Sequence, residues 1–249
     1  MIRTQTPDPR PTVGLLGARV STLDMTGTLE AIEDLLAQGG PQMLVTADAS
    51  GFVIAQTDPE LAVIYADAAL VTPDSQGVVW ALNRKGAGLR ARVSGVDLVG
   101  EICKLSANTG LRLFFLGAEP GVAETAAERL RLKFPGCNIV GTRHGYFPPD
   151  DDLLVAEEVA KSKPDVLFVA MGIPRQEKFI SKTMSVIQAK LAMGVGGSLD
   201  VFSGRAKRAP KLVQKLKMEW LWRLMLNPSK FGKVKTLPKF VRLVLREGR

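Results

Sequence analysis

From residue 43 to residue 195 the chain repeats one pattern: a short apolar run, a turn rich in Gly, Pro or Asp, then a longer segment with helical periodicity. The apolar runs fall at 43–46, 70–71, 111–116, 137–141, 166–170 and 190–195, and read as strands. Helices are predicted over 22–37, 51–56, 59–67, 77–83, 96–108, 121–134, 151–162 and 175–187, with Asp58 and Asp97 as capping residues. Strands alternating with helices at this spacing imply an α/β fold, a Rossmann-like and mostly parallel sheet with helices on both faces. Such sheets bind ligands at the carboxyl ends of their strands, beside a topological switch point. The loops after Thr46, Val71, Leu116, Gly141, Ala170 and Val195 are therefore where function is expected.

Charge divides the 249 residues unevenly. Residues 205–249 hold 14 Lys/Arg against 2 Asp/Glu, a formal +12, while the preceding residues hold 19 against 23, or −4. Three parts follow: a flexible arm at 1–11 rich in Pro, Thr and Arg, an α/β domain at 12–204, and a basic amphipathic helical appendage at 205–249. In the appendage Leu212, Val213, Leu216, Trp220 and Leu224 form one helical stripe, and Phe240, Val241, Val244 and Leu245 alternate with Lys239, Arg242 and Arg246. Basic residues interleaved with Trp and Phe describe a helix in the interface of an anionic membrane. The other readings are a solvated basic face and a nucleic-acid patch. No apolar run approaches the roughly 18 residues that span a bilayer, and the start lacks a signal-peptide core. A cytoplasmic protein, peripheral on the inner face of the cell membrane, is expected. Cys103 and Cys137 lack metal-ligand spacing and read as reduced thiols.

The ligand-facing loops carry Thr46 and Asp48, Asp74, Gly117 to Glu119, His144 to Tyr146, Gly172 to Glu177, and Gly194 to Gly197. Backbone amides in such loops, Gly172 and Gly196 among them, favour phosphate. Asp74 follows Thr72-Pro73 at a strand-to-helix junction, where a carboxylate either caps the helix or faces the cleft. The stretch LGAEPGV at 116–122 is not a GxGxxG fingerprint. Asp150 to Asp152 reads as a helix start rather than a metal motif, so no metal and no cofactor are predicted. The single histidine, His144, has no partner for a catalytic relay evident in the sequence. Glycines at 194, 196 and 197 fit either a ligand contact or a tight turn.

Read together, LVTADA, DPELAVIYADAALVTPDSQGVVWA, RVSGVDL, GYF, MGIPRQEKFI, GVGGSLDVFSGRAKRAP and EWLWRL resemble the WecG/TagA/CpsF bacterial glycosyltransferases over about 44–247. The resemblance implies metal-independent, inverting transfer of N-acetylmannosamine, its uronic acid or another hexose from a UDP-sugar to a polyprenyl-diphosphate-linked saccharide, in surface polysaccharide biosynthesis. It implies Asp74 as general base with Thr46 beside it, Asp48 near the sugar, and Arg92 and Gln176 around the donor or its diphosphate. Arg223, Lys230 and Lys233 match basic positions of an appendage thought to reach the membrane and the acceptor diphosphate. The chain departs from the pattern at Asp48, where Asn is usual, at Ser75, where Gly is usual, and at Val96, where Ser is common. The competing readings are an NAD-dependent sugar-nucleotide oxidoreductase and a nucleic-acid-binding module using the tail. The transferase reading carries no nucleic acid and allows a homo-oligomer.

Overall fold

The structure, a computed structural model, describes residues 10–210, 213, 222 and 231–248, with the side chains of 231–235 outside the description. A hairpin of β1 (Thr12–Leu15) and β2 (Ala18–Ser21) comes first, followed by α1 (Met25–Gln38), β3 (Gln42–Ala47), α2 (Ala49–Ala55) and α3 (Pro59–Asp67). Next come β4 (Leu70–Pro73), α4 (Gln76–Arg84), α5 (Gly95–Thr109), β5 (Leu113–Gly117), α6 (Val122–Lys133) and β6 (Ile139–Arg143). The chain continues through α7 (Asp152–Lys161), β7 (Val166–Ala170), α8 (Arg175–Ile187), β8 (Leu191–Gly194), α9 (Ser198–Phe202) and α10 (Phe231–Glu247).

Strands β3 to β8 form one parallel six-stranded sheet in the order β4-β3-β8-β7-β5-β6, confirming the α/β class. Its side chains alternate as a period of two requires. Leu44, Phe115, Phe168 and Met193 face α1, α5, α6 and α9 on one side. On the other, Val45 and Val71 meet α2, α3, α4 and α10, while Phe114, Leu167 and Val169 meet α7 and α8. Burial on both faces explains why the strands read as unbroken apolar runs. β5 leads outward to the edge strand β6 and β7 leads the other way to β8, so their following loops diverge at a switch point.

Several sequence expectations shift. The β1–β2 hairpin was not anticipated; its turn places Leu16 and Gly17 at φ 48° and 91°, and Leu15, Ala18 and Val20 join the core. The arm's last residues are tied down, since Thr22 donates its N–H to the Pro11 carbonyl (3.0 Å). Ser94, not Asp97, caps α5: its hydroxyl accepts from the Asp97 N–H and donates to the Asp97 carboxylate. Asp152 does open α7, but its buried carboxylate pairs with Arg175 and Lys182 rather than with the helix end.

The largest revision concerns the appendage. Phe240 and Val244, read as membrane-facing, are fully buried against α2 and α4, with the Phe240 ring 6.1 Å from that of Phe52. The apolar stripe of α10 is used by the protein's own core. Lys239, Arg242 and Arg246 remain outward, beside Leu237 and Leu245 at 37% and 41% exposure. At its end Glu247 accepts from the Leu16 N–H (2.7 Å) and pairs with Lys85 (2.9 Å). Leu212, Leu216, Trp220 and Leu224 of the apolar stripe, with Arg223, Lys230 and the side chain of Lys233, lie outside the described residues. Among those described, no helix is long and apolar enough to cross a membrane.

Candidate active site

The carboxyl ends of β3, β4, β7 and β8 are neighbours, and the polar residues singled out by the sequence gather there. Asp74 begins just after β4, where its N–H donates to the Ala47 carbonyl (3.0 Å). Ser75, not Asp74, caps α4, accepting from the Val78 N–H at 3.3 Å. The same hydroxyl accepts from the Ala49 N–H and so joins the starts of α2 and α4. The capping reading of Asp74 is thereby removed, and its side chain, 27% exposed, stands beside Arg92. Arg92 Nη1 donates to the Asp74 carbonyl (3.0 Å) and lies 3.7 Å from its Oδ1.

Thr46 is buried at the end of β3 and donates its hydroxyl to the Gly194 carbonyl across to β8 (2.7 Å). One residue beyond β3, Asp48 caps α2, with Oδ1 accepting from the Gly51 N–H (2.8 Å) and the Ser50 hydroxyl (2.6 Å). Gln176 is 1% exposed in the first turn of α8. Its Oε1 accepts from the N–H groups of Gly172 (3.1 Å) and Gly196 (3.0 Å), and its Nε2 donates to Glu177 (2.7 Å). The two amides expected to meet phosphate are thus held by a protein side chain. Both glycines have positive φ, 79° and 51°, a backbone that side-chain-bearing residues adopt at a cost. Gln176 therefore sets the geometry of the loops after β7 and β8.

Asp97 forms a second carboxylate centre nearby. Arg208, in the segment leading to the appendage, binds it bidentately, Nη1 to Oδ1 at 2.7 Å and Nη2 to Oδ2 at 2.8 Å. Burial pushes this carboxyl up. The hydrogen bonds from Arg208 and Ser94, with the positive charges of Arg208 and Arg92, outweigh that and hold it below the ordinary carboxylate range.

Tyr65 went unremarked in the sequence, where it completes the apolar stripe of α3 with Leu61 and Ile64. Its ring packs edge-on against Phe52, and its buried hydroxyl has no hydrogen-bond partner among the described residues. Burial, together with the fields of Glu177, Asp48 and Asp74, raises it well above the ordinary tyrosine value. The hydroxyl lies against the first turn of α2, where a Cβ on Gly51 would overlap it. Ser75, Arg208 and the Glu177 contact likewise carry no local signature in the sequence.

His144 lies elsewhere. It follows β6, at the opposite edge from β4, roughly 24 Å away at five strand spacings. Its Nδ1 accepts from the Tyr146 N–H within a turn (3.3 Å), and it takes no part in the Asp74 cluster. Among the described residues no three His, Cys, Asp or Glu side chains group as a metal site.

A carboxylate on the cleft, a guanidinium beside it and two loops locked by a buried amide suit proton abstraction next to an anionic leaving group. Comparison with known proteins identifies the family. The chain is 36% identical over 214 residues to an N-acetylglucosaminyldiphosphoundecaprenol N-acetyl-beta-D-mannosaminyltransferase of Bacillus spizizenii, covering 86% of this chain and 82% of the relative. Proteins of the same name in Bacillus subtilis and Staphylococcus aureus are 33% and 32% identical, covering 79% and 95% of this chain and 80% and 93% of theirs. The sequence model of the glycosyl transferase WecG/TagA/CpsF family matches residues 13–249. Of the function classes raised by the sequence, the transferase is the one these findings support, and the chain belongs to the WecG/TagA/CpsF family of glycosyltransferases.

Proposed function

We propose that the protein transfers N-acetylmannosamine, or a closely related hexose, from a UDP-sugar to a polyprenyl-diphosphate-linked saccharide, as a step in surface polysaccharide assembly. The observation that carries this reading is the placement of Asp74. It stands at the carboxyl end of β4, relieved of helix capping by Ser75 and backed by Arg92. The relatives' names support the acceptor class, since each acts on an N-acetylglucosaminyl-diphosphoundecaprenol.

In the proposed reaction an acceptor hydroxyl attacks the anomeric carbon of the donor. The new glycosidic bond forms as the bond to the UDP oxygen breaks, with inversion and without a metal. The hydroxyl proton passes to the Asp74 carboxylate, and the electron pair leaves with UDP. Arg92, shared between the Asp74 backbone and its carboxylate, is the described cation that meets the leaving charge, with the basic appendage as a further source. Thr46 fixes the end of β3 against β8, Asp48 lines the sugar side, and Gln176 holds the loops of Gly172 and Gly196 in register. Arg223, Lys230 and Lys233 remain proposed for the acceptor diphosphate at an anionic inner-membrane surface. The outward Lys239, Arg242 and Arg246 of α10 add to that basic face.

The test is Asp74→Asn with a UDP-sugar and a short-chain lipid acceptor. Loss of the base lowers turnover by about 10²–10⁴ with the fold intact. Near-normal turnover overturns the assignment.

A further inference from the structure

The residue before Gln176 starts its helix against local preference. Arg175 opens α8 behind Pro174, no side chain caps that end, and a cation in the first turn opposes the helix dipole. What stands in for the missing cap comes from another element. The carboxylate of Asp152, 4% exposed at the start of α7, accepts from Arg175 Nη1 at 3.1 Å and pairs with its Nη2. Lys182, a second cation on the same carboxylate, lies 3.3 Å away and is half exposed. The Arg175 guanidinium also lies over the rings of Phe147 (5.3 Å) and Phe179 (5.7 Å), so the loop after β6 is joined to the same point.

That loop is itself seated on its neighbours. Gly145 donates its N–H to the Ala118 carbonyl (2.9 Å), and a Cβ on it would stand 2.9 Å from both Gly117 Cα and Met171 Cγ. A buried ion pair is a poor source of stability, because desolvating both charges offsets most of their attraction. Its use is to specify an arrangement. Here that is the first turn of α8, where the next side chain, Gln176, holds the N–H groups of Gly172 and Gly196.

We propose that Asp152 is a positioning residue: by anchoring Arg175 against Phe147 and Phe179 it sets the turn from which Gln176 aligns the loops after β7 and β8 at the donor side of the cleft. Without the carboxylate, the guanidinium is an unpaired, part-buried cation at the positive end of a helix, and it swings out to water. The first turn then frays, and Gln176 no longer holds both loop amides at once. The effect on transfer rests on the transferase reading above, whereas the effect on the loop amides does not.

The experiment uses the full chain labelled with ¹⁵N, following hydrogen exchange at the Gly172 and Gly196 amides, together with UDP binding by calorimetry and the kinetics of transfer. In Asp152→Asn both amides exchange about tenfold faster than in the parent. The donor KM rises by about 10–100-fold while kcat changes by less. Lys182→Gln removes the other cation and leaves Arg175 in place, so exchange and KM keep their parent values. The Asp152→Asn/Arg175→Gln double variant separates positioning from stability. It carries no orphaned charge and regains the melting temperature lost in Asp152→Asn, but without the guanidinium its loops stay loose and its KM stays high. A KM that recovers with the melting temperature, or amides unmoved in Asp152→Asn, overturns the proposal and leaves the transferase reading intact. Should Asp152→Asn not fold, Arg175→Lys carries the same test, since it keeps the charge and loses the planar fork that serves carboxylate and ring together. Parent-like exchange there also overturns the proposal. Amides loosened in this order, in a protein that binds no UDP, support the positioning and instead remove the UDP-sugar donor.

Discussion

Exchanging Gln176 for leucine tests whether one buried amide holds the site loops together. Leucine has nearly the same volume, so little cavity opens, but three hydrogen bonds vanish: two accepted from Gly172 and Gly196 and one donated to Glu177. Each group left without a partner in a dry setting costs about 1–3 kcal/mol. The two loop amides are only part-buried, and taking the low end for all three groups gives about 3 kcal/mol. Urea unfolding followed by tryptophan fluorescence measures this directly. Because the loops after β7 and β8 are then free to separate, KM for the donor rises more than kcat falls. Gln176→Glu is the control: it keeps both acceptor bonds but sets a second carboxylate against Glu177, so its penalty grows with pH. A leucine variant within 1 kcal/mol of the parent and with an unchanged donor KM refutes the argument.

Two further outcomes follow from packing. A Cβ on Gly51 would overlap the Tyr65 hydroxyl and lie 3.2 Å from Ile173 Cδ1, so Gly51→Ala is destabilised by about 1–3 kcal/mol despite the better helix former. Tyr65→Phe removes a buried hydroxyl without a hydrogen-bond partner among the described residues and is neutral or stabilising on its own. The double variant regains most of the loss, and strict additivity in denaturation would sink the account. Phe240→Ala empties the contact of α10 with Phe52 and costs about 3 kcal/mol. Its signature is faster protease cleavage near the C-terminus before global unfolding, and an unchanged digestion rate counts against the docked helix.

The sheet was legible because both its faces are covered: strands such as Phe114 to Leu116 and Val166 to Ala170 carry apolar residues without a break, and the loops between them hold the turn residues. The positions of Asp74, Thr46 and Gln176 at the carboxyl ends of the strands were legible for the same reason. What the sequence withheld is non-local. Nothing near Asp97 signals Arg208, 111 residues later. The choice between Ser75 and Asp74 as helix cap turns on one residue of register, which propensity does not resolve. Tyr65 sits at a core position of α3, and only the tertiary fold brings its ring against Phe52 and its hydroxyl against Gly51 of α2. For α10, amphipathic spacing is the same whether the partner is lipid or protein, and the exposed apolar side of α2 and α4 that claims it is visible only once folded.

The docking of α10 has a consequence for how the protein is made. Its partners Phe52 and Val78 are synthesised long before Phe240 and Val244. Translation proceeds at about 5–20 residues per second, so the roughly 150 residues separating α4 from α10 keep that face bare for about 7–30 s on the ribosome. Throughout that interval the nascent chain presents a sticky apolar surface that stays uncovered until the final helix arrives.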